Sequence, residues 1–200
     1  MSKKIEWFLG MKIAFDVDGV VLKSIDVILE YVNKKTGLDI KVDNLTTWDL
    51  EPLGLDMKTL WEAVDYMYAT PRVEPYGRAQ EVLSRIHHST NEPLLFITGR
   101  ADPQTAKRHL EALSWNSTMP EMIVCGGTRD KREYLTQNCV DFIVEDDVRH
   151  VDDYVKAGFG VGLMVRPWNR SAATAVTARF ESWADIEQWF LSISHKYEKR

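Results

Sequence analysis

This sequence predicts an α/β fold: a Rossmann-like parallel sheet with helices on both faces. Three observations carry that expectation. Apolar runs of five or six residues recur along the chain, each flanked by Gly, Pro or Asp. They are apolar throughout rather than alternating, which marks strands covered on both sides. Helical patterns lie between them, and regular alternation of strand and helix favours parallel pairing.

Taken in order, residues 12–17 (Lys-Ile-Ala-Phe-Asp-Val) form the first predicted strand. Residues 22–75 then show no clear strand. They hold an amphipathic helix over 24–36, carrying Ile25, Ile28, Leu29 and Val32 and ended by Gly37. A second helix over 56–68 carries Leu60, Val64 and Met67, and the connecting loop contains Trp48-Asp49-Leu50 and Pro52. Residues 77–88 place Ala79, Val82, Leu83 and Ile86 at helical spacing, and the strand 93–98 follows. Residues 102–113 predict a helix with Asp102 as N-cap and Pro103 at the first helical position. Strand 121–125, helix 130–138, strand 141–145, helix 148–157 and strand 160–165 complete the alternation. A closing helix over 182–194 presents Trp183, Ile186, Trp189, Phe190 and Ile193.

Composition bounds the function. The 200 residues are 44% hydrophobic and 28% charged, too apolar for a disordered chain. No apolar run of about 18 residues predicts a transmembrane helix. A net charge of −5 argues against stable duplex nucleic-acid binding, but one local site suffices for a small phosphate ester. Cys125 and Cys139 make neither a metal spacing nor a disulfide framework, and we expect both reduced, as in a cytoplasmic protein. Residues 1–10 read as a short extension, because Glu6 interrupts what a signal peptide would keep apolar. The alternative is an internal start at Met11.

Four features carry chemistry. Asp16-Val17-Asp18-Gly19 at the end of the first strand brings two carboxylates into one small volume, where they repel unless a cation intervenes. Magnesium, a hard ion preferring oxygen, suits them. Thr98-Gly99-Arg100, after the second strand, offers a hydroxyl and a backbone N–H to an anion. Lys131 begins a helix against the macrodipole and could reach a phosphate. Glu145-Asp146-Asp147 puts three acids after a buried strand, which is costly without a cation nearby. Each has a bland alternative taken singly: a solvated turn, a surface lysine, an acidic helix cap. Together they fall at carboxyl ends of parallel strands, where such sheets bind ligands.

This order of motifs resembles the haloacid dehalogenase superfamily of phosphohydrolases over residues 11–165. The insert at 22–75 resembles a helical C1-type cap, leaving 1–21 and 76–200 as the core. Finer features resemble the 5′(3′)-deoxyribonucleotidases: Trp48-Asp49-Leu50, Pro75-Tyr76-Gly77-Arg78-Ala79, Arg166-Pro167-Trp168-Asn169-Arg170 and the closing Ser182-Trp183-Ala184-Asp185-Ile186.

The resemblance implies Asp16 as nucleophile and Asp18 as general acid and base. It implies magnesium held by Asp16, the Asp18 backbone carbonyl and Asp146, with Glu145 or Asp147 as alternative ligands. Thr98, Gly99 and Lys131 would hold the phosphoryl oxygens. Trp48, Trp61, Tyr66 and Tyr68 are candidates for stacking on a base, although Trp61 and Tyr68 share the spacing of core residues and are expected to pack inward. Lys23 and Arg72 flank the cap and could touch substrate, whereas Arg100 and Arg166 could pair with acids near the site. His87-His88 reads as surface. The implied function is a magnesium-dependent 5′-nucleotidase on nucleoside monophosphates. The alternatives are a phosphatase for a sugar phosphate or a nucleic-acid 3′-phosphate end, and a catalytically silent binding protein of the same fold.

Overall fold

The computed structural model describes residues 11–47, 50, 54–115 and 118–197. The expected extension at 1–10 and Trp48, Asp49 and Pro52 lie outside them. Six parallel strands form one sheet: β1 (Ile13–Phe15), β2 (Leu94–Thr98), β3 (Met122–Gly126), β4 (Phe142–Glu145), β5 (Gly160–Met164) and β6 (Ala178–Phe180). Their order is β3-β2-β1-β4-β5-β6. The direction of winding therefore reverses at β1, which puts the ends of β1, β2 and β4 side by side.

Among the described residues, seven α-helices accompany the sheet: α1 (Ser24–Thr36), α2 (Met57–Ala69), α3 (Ala79–Thr90), α4 (Pro103–Glu111), α5 (Arg132–Gln137), α6 (Val151–Lys156) and α7 (Trp183–Tyr197). Alternate strand residues divide the core. Phe15, Phe96, Phe142, Val144 and Met164 pack with α3, α4 and α7 on one face. Ala14, Leu95, Ile97, Ile143 and Val161 pack with α5 and α6 on the other. That pleat-driven division is what apolar-throughout strands require.

Local chemistry sets the element ends. Asp56 caps α2 by accepting from Thr59 N (2.8 Å), and Asp102 caps α4 by accepting from Gln104 N (2.9 Å). Gly37 ends α1 at φ 74°, a left-handed conformation that glycine adopts without strain. The helix expected at 148–157 is divided. Asp147 accepts from Arg149 N (3.1 Å) and tightens Val148–His150 into a 3-10 turn before α6 begins. The edge strand β6 is an addition to the sequence reading, its three residues being too few to register a period.

The helices α1 and α2 pack together as an insert between β1 and α3. Their inner faces, with Ile25, Ile28, Leu29, Ala63 and Met67, join the apolar cluster of the sheet's first face. The two chain crossings of this insert run antiparallel, side by side. Lys23 N donates to Glu74 O and Tyr76 N to Val21 O, each at 2.8 Å. Among the described residues, no helix is long and apolar enough to cross a membrane, and both cysteines are free.

Candidate active site

Asp16 extends the β1 ladder by one bond, N to Val144 O at 2.9 Å, and the chain then turns sharply. Leu22 N returns to Val17 O (2.9 Å) and Gly19 N donates to Leu22 O (3.0 Å). Gly19 is required here twice over. Its φ is +79°, and a Cβ would stand 2.1 Å from Asp146 Oδ2. Trp183 of α7, buried against Phe15, secures the turn through Nε1 to Val20 O at 3.0 Å.

The turn delivers two carboxylates with different partners. Asp16 lies 2.6 Å from Lys131 Nζ, which also reaches Glu145 Oε2 at 2.7 Å. All three side chains are buried. Burial pushes the Asp16 carboxyl up to about 8; Lys131 opposes this and the charges of Glu145 and Asp18 reinforce it. Lys131 moves up in turn: burial opposes its charge, but Asp16 and Glu145 together outweigh burial. Tyr154 of α6 fixes the lysine backbone by accepting from Lys131 N (3.1 Å).

Asp18 is held otherwise. Arg100 grips it in a fork, Nε to Oδ2 at 2.8 Å and Nη2 to Oδ1 at 2.6 Å, and Ser24 Oγ donates to Oδ1. Burial pushes Asp18 up, but Arg100 and Ser24 outweigh it and hold the carboxyl below its usual value. Arg100 is itself buried and donates through Nη1 to His109 Nδ1 (3.0 Å). His109 Nε2 donates to Thr70 O (2.7 Å). Burial and then Arg100 lower the His109 pKa, which keeps the ring neutral and Nδ1 free to accept.

Of the three consecutive acids, each has a separate occupation. Glu145 anchors Lys131 and accepts from the backbone N–H of Asp146 and Asp147, both at 3.1 Å. Asp147 pairs with Arg149. Asp146 accepts from Trp168 Nε1 through Oδ2 (2.9 Å), and Asn169 Nδ2 grips its carbonyl (2.8 Å). Its Oδ1 is buried with no hydrogen-bond partner. An orphaned, buried carboxylate oxygen is costly unless a cation or water meets it.

Oxygens of Asp16, Glu145 and Asp146 lie within 4.8 Å of one another. An all-oxygen donor set with one unpartnered carboxylate oxygen fits a hard divalent cation. Burial, then Asp16 and Glu145, push the Asp146 carboxyl well up as well. The Asp18 side chain, taken by Arg100 and Ser24, is not in the cluster; the carboxylate beside Asp16 and Asp146 is Glu145.

A sign follows for pH. Because the folded, cation-free Asp16 binds its proton more tightly than the unfolded group at 3.8, its contribution to stability falls as pH rises from about 4 to about 8. A divalent cation must displace that proton, so its affinity should rise over the same window. Thermal melts with and without magnesium are expected to show a larger upward shift at about pH 8 than at about pH 6. An equal shift at both would contradict this.

Thr98, fully buried at the end of β2, accepts from Arg100 N through Oγ1 (3.2 Å), which leaves its O–H to donate. Gly126 permits β3 to end beside it, since a Cβ there would stand 1.9 Å from Thr98 O. Gly99 lines the cavity that opens over the carboxylates, about 190 Å³, as do Asp16, Asp18, Lys131 and Asp146. Ile28, Trp61, Val64 and Tyr68 of α1 and α2 form its roof.

One sequence expectation changes. Trp61 is 58% exposed and lines the cavity, whereas Tyr68, half-buried, lines the cavity wall and also packs against the core cluster, as its spacing predicts. The α2 face that carries them, two turns long, borders the cavity over the strand ends. Tyr66 instead packs on Tyr31, ring centres 5.1 Å apart. Arg72 pairs with Glu74, and Lys23 lies by the Tyr76 ring; neither lines the cavity. Arg100 meets an acid as expected. Arg166 meets the Gly19 carbonyl (2.6 Å) and the face of Tyr76. Trp48 lies outside the described residues. His88 is exposed and His87 half-buried, and both bond backbone carbonyls. The sequence reading missed His109, Tyr154 and the Arg129, Arg149 and His150 rim of the cavity. A histidine on the inner face of an amphipathic helix was the one available signal for His109.

No protein-family model matches the chain, and no curated protein matches it. Solved structures do. A conserved haloacid dehalogenase-like protein of unknown function from Agrobacterium tumefaciens aligns at TM-score 0.64 and 14% identity, over 92% of this chain and 100% of that one. A predicted phosphoglycolate phosphatase from Haemophilus somnus aligns at TM-score 0.58 and 14% identity, over 95% and 100%. A haloacid dehalogenase-like family hydrolase from Xanthomonas campestris aligns at TM-score 0.57 and 12% identity, over 95% and 98%. Strand order, helical insert and whole-chain alignment together give this protein the fold of the haloacid dehalogenase-like hydrolases.

Proposed function

We propose that the protein is a magnesium-dependent phosphomonoester hydrolase that acts on nucleoside monophosphates through an aspartyl-phosphate. The observation that carries the reading is the buried set of Asp16, Lys131, Glu145 and Asp146 beside Asp18, under one cavity at the strand ends. In this reading residues 22–75 serve as cap and the remainder as core.

A carboxylate oxygen of Asp16 attacks phosphorus, the bond to the leaving oxygen breaks, and Asp18 gives that oxygen a proton, one it must first take up from solvent against the pull of Arg100 and Ser24. Water then attacks the aspartyl-phosphate. Its proton passes to Asp18, and the bond to Asp16 breaks to restore the carboxylate. Lys131 neutralises Asp16 and the phosphoryl oxygens, which the Thr98 hydroxyl and Gly99 N–H also hold. A magnesium ion held by Asp16, Asp146 and the Asp18 carbonyl would supply the charge that lets an anionic carboxylate approach an anionic phosphate.

The nucleotide preference is supported by Trp61 and Tyr68, two aromatic side chains on the cavity roof. Stacking on a base is worth roughly 1–3 kcal/mol. Trp61→Ala is therefore expected to raise KM for nucleoside monophosphates about tenfold, with a much smaller change for ribose 5-phosphate. Steady-state kinetics on both substrates check it, and an equal change would remove the stacking argument. A sugar phosphate or other small ester is the second reading, favoured by the name of the phosphoglycolate phosphatase neighbour. Phosphate release from nucleoside 5′- and 3′-monophosphates, sugar phosphates and p-nitrophenyl phosphate, with magnesium and with EDTA, separates them. Release from nucleotides that EDTA abolishes supports the first. Release from sugar phosphates alone supports the second, and release from none refutes both.

A further inference from the structure

Asp18 is gripped from both ends of the helical insert. Ser24, the first residue of α1, donates to its Oδ1. From the other end comes a relay: Thr70 O, which follows α2, accepts from His109, whose Nδ1 accepts from Arg100, whose fork closes on Asp18. The Tyr68 ring lies 5.4 Å from the Arg100 guanidinium, and Arg108 donates to Tyr68 O. Thr98 Oγ1 holds the Arg100 backbone. Two planar groups, each fixed at both edges, thus determine the plane and position of one carboxylate. A fork–fork contact specifies direction in a way a single ammonium does not.

We propose that Arg100, seated on His109, is a positioning residue that fixes the Asp18 carboxylate to receive the proton of the attacking water. This rests on the phosphatase reading above. In that step the water oxygen bonds to phosphorus, its proton goes to an Asp18 oxygen, and the phosphorus–oxygen bond to Asp16 breaks. Arg100 and His109 touch neither water nor substrate; they act through Asp18. The fork suits the accepting form of Asp18, since both oxygens already face donors.

p-Nitrophenyl phosphate isolates the step. Its leaving group needs little protonation, so kcat/KM reports formation of the aspartyl-phosphate and kcat reports its hydrolysis. With magnesium present, His109→Leu is expected to lower kcat about tenfold while kcat/KM changes less than about twofold. A burst of p-nitrophenolate and phosphorylated protein, seen by intact mass, should accompany it, and hydroxylamine should discharge that species once, its nitrogen bonding to the Asp16 acyl carbon as phosphate leaves, to give an inactive Asp16 hydroxamate. His109→Asn, which keeps an acceptor for Arg100, should stay within about threefold of the parent. Arg100→Lys keeps the charge, loses the fork, and should show the same split more strongly. It carries the test if His109→Leu fails to give a cooperative melt. Parallel loss of kcat and kcat/KM, no phosphorylated protein, or equal loss in His109→Asn and His109→Leu would overturn the proposal. A parent protein that releases no phosphate from any ester would overturn the phosphatase reading, and this assignment with it.

Discussion

Asp16→Asn is expected to abolish phosphate release, by at least about 10⁴-fold, because an amide cannot attack phosphorus. The same change should leave the fold within about 1 kcal/mol of the parent. The reason lies in the surroundings of Asp16. With its carboxyl raised to about 8 by burial, the cation-free protein near neutrality already holds this group largely protonated. An asparagine matches a protonated aspartate in shape, and Lys131 keeps Glu145 as partner. The substitution should also flatten the decline of stability between about pH 4 and about pH 8, since the group responsible is gone. Urea melts at several pH values, beside a phosphate-release assay, check both. Retained turnover would refute the nucleophile assignment, and a collapsed fold would refute the account of its electrostatics.

Lys131→Met should be the most damaging single change to stability. Its ammonium lies within bonding distance of two buried carboxylates, Asp16 and Glu145. Its removal leaves Glu145 buried without its cation and takes the opposing charge from beside Asp16, and breaking a buried pair in this way costs about 3–5 kcal/mol. Turnover should fall at least about 10³-fold, since phosphoryl charge loses its fixed donor. The deficit has a direction in pH. Without Lys131 the Asp16 and Asp146 carboxyls hold protons more tightly in the folded state, so the variant's stability falls further as pH rises. It should fold best near about pH 5 and worst above about pH 7. Denaturation at a series of pH values tests this, and a deficit independent of pH would mean the lysine contributes by packing alone.

The sheet was legible because its strands are buried on both faces. Runs such as Leu94–Thr98 need no partner in view to be read as strands. β6 was not legible, because three residues at an edge with Arg179 exposed carry too little pattern. Asp16, Asp18, Thr98, Lys131 and Asp146 could be collected from sequence because each follows a strand, and parallel strands share one carboxyl end. What sequence does not encode locally is pairing. That Glu145 anchors Lys131 while Asp146 keeps a bare oxygen depends on side-chain directions across different strands. The same holds for Trp61. Its helical spacing matches core positions, and only the path of the insert turns that side of α2 towards the cavity.

The side-by-side crossings at Lys23–Glu74 and Val21–Tyr76 have a consequence for what the core can host. To the sheet, everything between them is a single closed loop whose ends are already held. The closure entropy of such a loop grows only logarithmically, about 0.6 kcal/mol per doubling of its length. The strand ends are therefore nearly indifferent to the length of the connection between the two roof helices. The connection between α1 and α2 could be lengthened or shortened, provided Ser24 and Thr70 still arrive beside Asp18 and His109 and Ile25, Ile28, Leu29, Ala63 and Met67 keep their places in the core. On the phosphatase reading, substrate choice could then change in that connection while the strand ends beneath it stay as they are.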